Sequence, residues 1–461
     1  MRLVKAVLFL LLLPLVLSAL PALAGDPAGH LPRGPRELPP EAAPRAHKPF
    51  VERHVPVKRI HDGQDKSGAF GWIGANLGDQ DGDGRNEYLI AASYYAFYTG
   101  RVTIFAGDGS VAGEQEGSGP FSLFGYSAAA AGDIDGDGTV DYIVGAPSHP
   151  LFGNPGRVVV YSGADHTPLY DLPGVTGFGT AVTGVGDANN DGYDDFAVGA
   201  EFYGAGSGGA FTSPGRVVVY SGQTGDVLWS QTGFNDGDLL GAGAGRVADL
   251  DGDGHDDLVV AARGADAGNG RAYTFSGTDG NLIDTLVPGE AGGGYTFGQF
   301  FAAGAGDIDA DGTEDIFIGD YAALGGEGRA YVYSGANSSL LHTFGPEGAA
   351  DAGVGPGRGI PDVDGDGHDD LIVAAYLSSA GANQAGKVTV YSGADGSVLH
   401  EVTGNVPMDN LGVDALSLGD LDGDGGQEYL LTATGLSFGG LDVGHNYVIS
   451  FSTPPGTLPA D

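Results

Sequence analysis

Asp133, Asp135, Asp137 and Asp141 stand at positions 1, 3, 5 and 9 of a short stretch that reads GDIDGDGTVDYIVGAP from Gly132 to Pro147, with Gly138 at position 6. Carboxylates alternating around one tight turn converge on a point, and their oxygens suit a hard divalent cation. Calcium takes about six to eight such oxygens, and glycine at position 6 permits the sharp bend of a calcium loop. The backbone carbonyl of Thr139 is the expected ligand at position 7. Tyr142, Ile143 and Val144 follow, a run that predicts a strand rather than the exiting helix of an EF-hand.

The same spacing occurs in seven places. Besides the loop above, position 1, 3, 5, 7 and 9 residues are Asp79, Asp81, Asp83, Arg85 and Glu87; Asp187, Asn189, Asp191, Tyr193 and Asp195; and Asp249, Asp251, Asp253, His255 and Asp257. They continue as Asp307, Asp309, Asp311, Thr313 and Asp315; Asp362, Asp364, Asp366, His368 and Asp370; and Asp420, Asp422, Asp424, Gly426 and Glu428. Position 7 contributes only a backbone carbonyl, so its side chain is free to vary. Successive first aspartates are 54, 54, 62, 58, 55 and 58 residues apart, a period that marks one supersecondary unit repeated around an axis or along a solenoid.

The elements that must position the loops repeat with them. A Phe-Gly or Leu-Gly pair precedes each loop, at Phe70, Phe124, Phe178, Leu240, Phe297 and Leu411, with Val354-Gly355 in the sixth unit. A strand such as Asp257 to Ala262 follows the loop, and then a strand opening on a basic residue at Arg101, Arg157, Arg216, Arg271, Arg329 or Lys387. A glycine-containing turn leads to a further short strand such as Val227 to Trp229. Counting the small-residue segment before the loop, each unit has four strands. Seven such units without helical periodicity predict an all-β fold, a seven-bladed β-propeller of four-stranded blades with a calcium loop in each blade.

The units resemble FG-GAP repeats of the integrin α-chain amino-terminal propeller; Phe124-Gly125 and Gly145-Ala146-Pro147 spell the motif in the second unit. The resemblance covers roughly residues 55 to 453 and implies up to seven calcium ions, one per blade. It also implies a role in cell-surface or matrix adhesion. An inserted domain, leg domains and a membrane span of the integrin α kind are not expected from this sequence, so heterodimer partnership is not carried over.

Residues 1–24 carry Arg2 and Lys5, an apolar stretch from Ala6 to Leu20 and a closing Ala22-Leu23-Ala24, the pattern of a signal peptide and a secreted, extracellular or periplasmic chain. Residues 25–52, rich in proline and alanine, are expected to be a disordered linker, 53–453 the propeller and 454–461 a flexible tail. Val57 to Ile60 align with the outer strand of the sixth unit, while the seventh unit lacks an outer strand after Tyr447 to Phe451. The N-terminal strand is therefore expected to complete the last blade and close the ring.

Cysteine is absent, so no disulfide fastens an exported chain of this composition. Calcium is expected to do so instead. With a dissociation constant of about 0.1 mM and about 1 mM calcium outside the cell, each site contributes about 1.4 kcal/mol.

The net charge of −40 argues against nucleic acid or an anionic membrane as partner. The recurrent basic residues are expected to form salt bridges to acidic neighbours. Ligand contacts should come from what differs between units: Tyr94, Tyr95, Phe97, Tyr98, His149, Phe152, Phe202, Tyr203, Phe211, Tyr321 and Tyr376 fall on connections at the face opposite the calcium loops. Amphipathic rings there suit a protein or glycan ligand. No nucleophile elbow, zinc-binding helix or phosphate loop occurs, and the eleven histidines are scattered. The chain reads as a monomeric adhesion or ligand-binding module rather than an enzyme, with a lectin-like polysaccharide binder and a polysaccharide-degrading propeller enzyme as alternatives.

Overall fold

The computed structural model describes residues 49–52, 55–63, 68–148, 155–205, 210–290, 292–435 and 444–451. The expected signal peptide, most of the linker, the tail, His149 and Phe152 lie outside the described residues.

Seven four-stranded antiparallel sheets make up a β-propeller. The first strand, β1 (Val57–Asp62), is followed by a complete blade: β2 (Phe70–Gly78), β3 (Glu87–Ala92), β4 (Arg101–Phe105) and β5 (Val111–Glu116). Blades two to six repeat that order. In the seventh the sheet runs Leu411–Gly419, Glu428–Ala433, His445–Ser450, and its fourth strand is β1, which pairs antiparallel with His445–Ser450. No described helix is long and apolar enough to cross a membrane.

The strand after each acidic loop is buried at every position, in all seven blades. It sits between two strands of its own sheet and two neighbouring blades, which explains its unbroken apolar run. The outer strand faces solvent on one side, so β5 alternates between exposed and half-buried. Hydrophobic packing is divided among seven seams. Leu89, Ala91 and Ile104 of blade one meet Tyr142, Val144 and Val159 of blade two; Tyr88 and Ile90 meet Leu416, Leu430 and Val448 of blade seven. Burial of this kind, shared between neighbours, lets one domain exceed the size of an ordinary single core.

The body extends further toward the N-terminus than composition indicates. Phe50, placed in the linker by its proline-rich surroundings, is buried, lies edge-on to Tyr447 with ring centroids 5.0 Å apart and bridges Gly404. The Val51 N–H donates to the Thr403 carbonyl at 2.9 Å.

Candidate metal loops and the opposite face

Each acidic loop is wound around its own first aspartate. Asp79 Oδ1 accepts from the Gly82 and Asp83 N–H groups at 2.8 and 3.1 Å, and Oδ2 from Gly84 at 2.9 Å. Asp81 Oδ1 accepts from Asp83 at 3.0 Å and Asp83 Oδ1 from Arg85 at 2.9 Å. The glycine at position 6 has φ near 90° in all seven loops, as at Gly138, a conformation costly for residues with a Cβ.

Position 9 belongs to the first residue of the buried strand, and its carboxylate spans two elements. Asp141 Oδ2 accepts from Ile134 N–H at 2.8 Å and Oδ1 from Gly163 in the turn to the outer strand, also at 2.8 Å. The second bond recurs from Gly107, Gly222, Gly277, Gly335 and Gly393. Ligand oxygens of Asp79, Asp81 and Glu87, of Asp133, Asp135 and Asp141, of Asp249, Asp251 and Asp257, of Asp307, Asp309 and Asp311, and of Asp362, Asp364 and Asp370 gather within 4.8 Å of one another.

The donor set fits a hard cation. Asp133 Oδ1, Asn189 Oδ1 and Glu428 Oε1 are buried, and no hydrogen bond reaches them among the described residues. Burial pushes the position 9 carboxyls of Asp141, Asp195, Asp257, Asp315 and Asp370 up to about 6, and raises Glu87 and Glu428. A bound calcium ion would favour their charged forms and neutralise the turn.

Residues at positions 7 and 8 lace neighbouring loops together, a role the repeat spacing did not reveal. His255 Nδ1 donates to the Asp187 carbonyl at 2.8 Å, and His368 Nδ1 to the Ile308 carbonyl at 2.8 Å. Asp194 Oδ2 accepts from Asp133 N–H at 2.7 Å, Asp369 Oδ2 from Asp307 at 2.9 Å, and Glu314 Oε2 from Ala248 at 2.6 Å. The sequence signal was an acid beside position 9, hidden by the stronger pattern of alternate aspartates.

Four of the six recurrent basic residues form the expected ion pairs. Arg101 holds Glu116 at 2.5 Å, Arg157 holds Asp171 at 2.7 Å, Arg329 holds Glu290 at 3.2 Å and Lys387 holds Glu401 at 2.7 Å. Arg216 instead donates to Ser230 Oγ at 2.6 Å.

The opposite face is reached at the C-terminal ends of the buried strands. Much of its aromatic set is packing: Tyr95 lies under the Arg101 guanidinium at 4.0 Å, Tyr203 under Arg216 at 5.0 Å, and Tyr94 against Tyr98 at 5.1 Å. Trp72, missed in the sequence because it follows the first Phe-Gly pair, joins Tyr94, Tyr126 and Phe300 at centroid distances of 5.4, 5.7 and 5.7 Å. Arg263 and Glu201 form a buried ion pair at 2.6 Å. Tyr321 donates to Gln299 Oε1 at 2.9 Å and stands edge-on to Tyr376 at 6.2 Å. Burial raises the hydroxyls of Tyr94, Tyr126, Tyr321 and Tyr376. Phe97 and Phe211 remain exposed, although Phe211 also touches Phe202 at 6.0 Å.

Seven four-stranded blades, each carrying an acidic loop of one design, define a β-propeller of repeated loop units. Parts of this repeat match known family models: residues 241–275 and 359–391 match the family described as FG-GAP repeat, and residues 67–144 that described as FG-GAP-like repeat. Integrin alpha-5 of Xenopus laevis is 30% identical over 49% of this chain and 23% of its own length. Integrin alpha-PS5 of Drosophila melanogaster is 33% identical over 39% of this chain and 19% of its own length. The chain thus spans about a fifth of the length of these relatives. The solved structure of Saccharomyces cerevisiae Sqt1 covers 86% of this chain and 99% of its own at 12% identity, with a TM-score of 0.48.

Proposed function

We propose that this chain is a secreted, calcium-binding β-propeller that acts as an adhesion or ligand-binding module and carries up to one ion per blade. The observation behind this reading is the convergence of carboxylate oxygens in the loops, together with buried oxygens that no hydrogen bond reaches among the described residues. Calcium supplies charge neutralisation and a clamp on each turn. The loop residues at positions 1, 3, 5 and 9 and the position 7 carbonyl hold it, and the interlaced loops carry its effect from blade to blade. Ligand contacts belong to the other face, where Phe97 and Phe211 stand exposed. Similarity to integrin α chains supports a protein ligand.

A glycan ligand is favoured by one feature. A hollow of about 390 Å³ on the fourth blade is lined by Phe234, Tyr273, Asn235, Asp238, Arg271 and Thr285. Phe234 is more than half exposed and lies 4.9 Å from Tyr273, so an aromatic platform stands beside groups able to bond sugar hydroxyls. Binding of the full chain to matrix proteins and to a glycan array, each with calcium and with EDTA, tests both. Calcium-dependent retention on a protein supports adhesion. Retention on glycans that Phe234→Ala abolishes supports the lectin-like reading, and no retention on either surface contradicts a binding role.

A further inference from the structure

We infer that Lys58 of β1 is a built-in cation for the seventh acidic loop, competing there with calcium and coupling occupancy of that loop to the seating of the closing strand. The inference rests on the calcium reading above. In six blades the position 9 carboxylate receives its second hydrogen bond from a glycine in the turn between the third and fourth strands, as Asp141 does from Gly163. The seventh blade cannot supply that turn, because its fourth strand comes from the other end of the chain. Glu428 keeps the bond from Leu421 N–H at 2.7 Å, but no hydrogen bond reaches its Oε1 among the described residues.

Lys58 fills the gap. Its ammonium bonds Asp422 Oδ2 and lies 3.4 Å from Asp424 Oδ2 and 3.7 Å from Glu428 Oε1. Three of the four carboxylates that would ligate an ion thus already face a cation. The position is distinctive as well as the contact. Lys58 is the bulge residue of its strand, between Val57 and Arg59. The corresponding bulge residues are Ala112, Leu169, Leu228, Ile283, Leu341 and Leu399, none of them charged. An ion entering this loop displaces the ammonium and releases the contact that ties β1 to the loop. At low calcium the lysine holds strand and loop together in its place.

Calcium binding to the full chain, followed by equilibrium dialysis across about 0.01–10 mM, tests this with two variants. Lys58→Met gives the seventh blade an uncharged bulge residue and is expected to strengthen one site by about two- to fivefold, leaving the others unchanged. Ala112→Lys places the same ammonium beside the first loop, which also ends on a glutamate, and is expected to weaken one site by a similar factor. Ala112 is exposed and lies outside the closing strand, so this variant stays informative if Lys58→Met folds poorly. Calcium binding that neither variant alters overturns the inference alone. Absence of calcium binding by the parent chain overturns the calcium reading, and this inference with it.

Discussion

Gly100 of the first blade and Phe124 of the second are joined by a parallel backbone bridge across the seam between their sheets. The same bridge links Gly215 to Leu240, Gly328 to Val354 and Gly386 to Leu411. Two recurrent features of the repeat, the glycine before the basic residue and the apolar residue before glycine, are thus two sides of one contact in these four seams. Gly100 has φ of 83°, and a Cβ there would stand 2.0 Å from the Phe124 carbonyl oxygen. Gly100→Ala is expected to cost about 2–4 kcal/mol through backbone strain and forced separation of the blades. Urea unfolding measures it, and a midpoint equal to that of the parent would show that the seam tolerates the methyl group.

Arg263 and Glu201 are both nearly inaccessible to solvent, with side chains 1% and 4% exposed. Removing one charge strands the other. Arg263→Met is expected to lower stability by about 3–5 kcal/mol, whereas Arg263→Met combined with Glu201→Gln should recover most of the loss. A double variant no more stable than the single one would contradict this.

Asp320 gives the fold a pH dependence of a definite sign. Its Oδ1 accepts from Thr296 at 2.5 Å, while burial pushes its carboxyl up to about 6. The folded state therefore holds this proton more tightly than the unfolded chain, and stability falls as pH rises from about 4 through 6. Asp320→Asn keeps the side chain neutral. In saturating calcium, which on the proposed reading holds the loop carboxylates charged, it is expected to gain about 1–2 kcal/mol at pH 7.5 and nothing near pH 4. Thermal unfolding across that range checks it; parallel curves for parent and variant would rule it out.

The last blade draws its outer strand from Val57–Asp62. Deleting residues 49–62 removes that strand together with Phe50, which packs in the seam between blades six and seven, and exposes a sheet edge. A large loss of thermal stability and concentration-dependent association are expected. Light scattering and melting would show otherwise if the shortened chain behaved as the parent.

The architecture was legible in the sequence because its strongest constraints are local. The alternating aspartates and the glycine at position 6 mark each loop, and the strand that follows must be apolar at every position because both of its faces are covered. The offset of Val57 from the sixth unit's Val398 also anticipated the pairing partner of β1. What escaped depends on contacts between units. Lys58 reads as an ordinary surface lysine until β1 is laid beside a loop more than three hundred residues away. Arg263 and Tyr321 each follow the buried strand of their own blade, and Trp72 lies near the start of the first strand of another, so only closure of the ring brings such residues together. Phe50 was hidden by prolines on its N-terminal side, where composition described the neighbours better than the residue.

Thermal unfolding of the full chain in about 1 mM calcium and again in excess EDTA tests the central claim most directly. The seven proposed sites, at about 1.4 kcal/mol each, would supply about 10 kcal/mol, which for a domain of this size corresponds to a fall in midpoint of about 10 °C on chelation. A fall of that order, reversed by added calcium, is the predicted result. A midpoint unmoved by EDTA would contradict it and leave the acidic loops as turns that fold without metal.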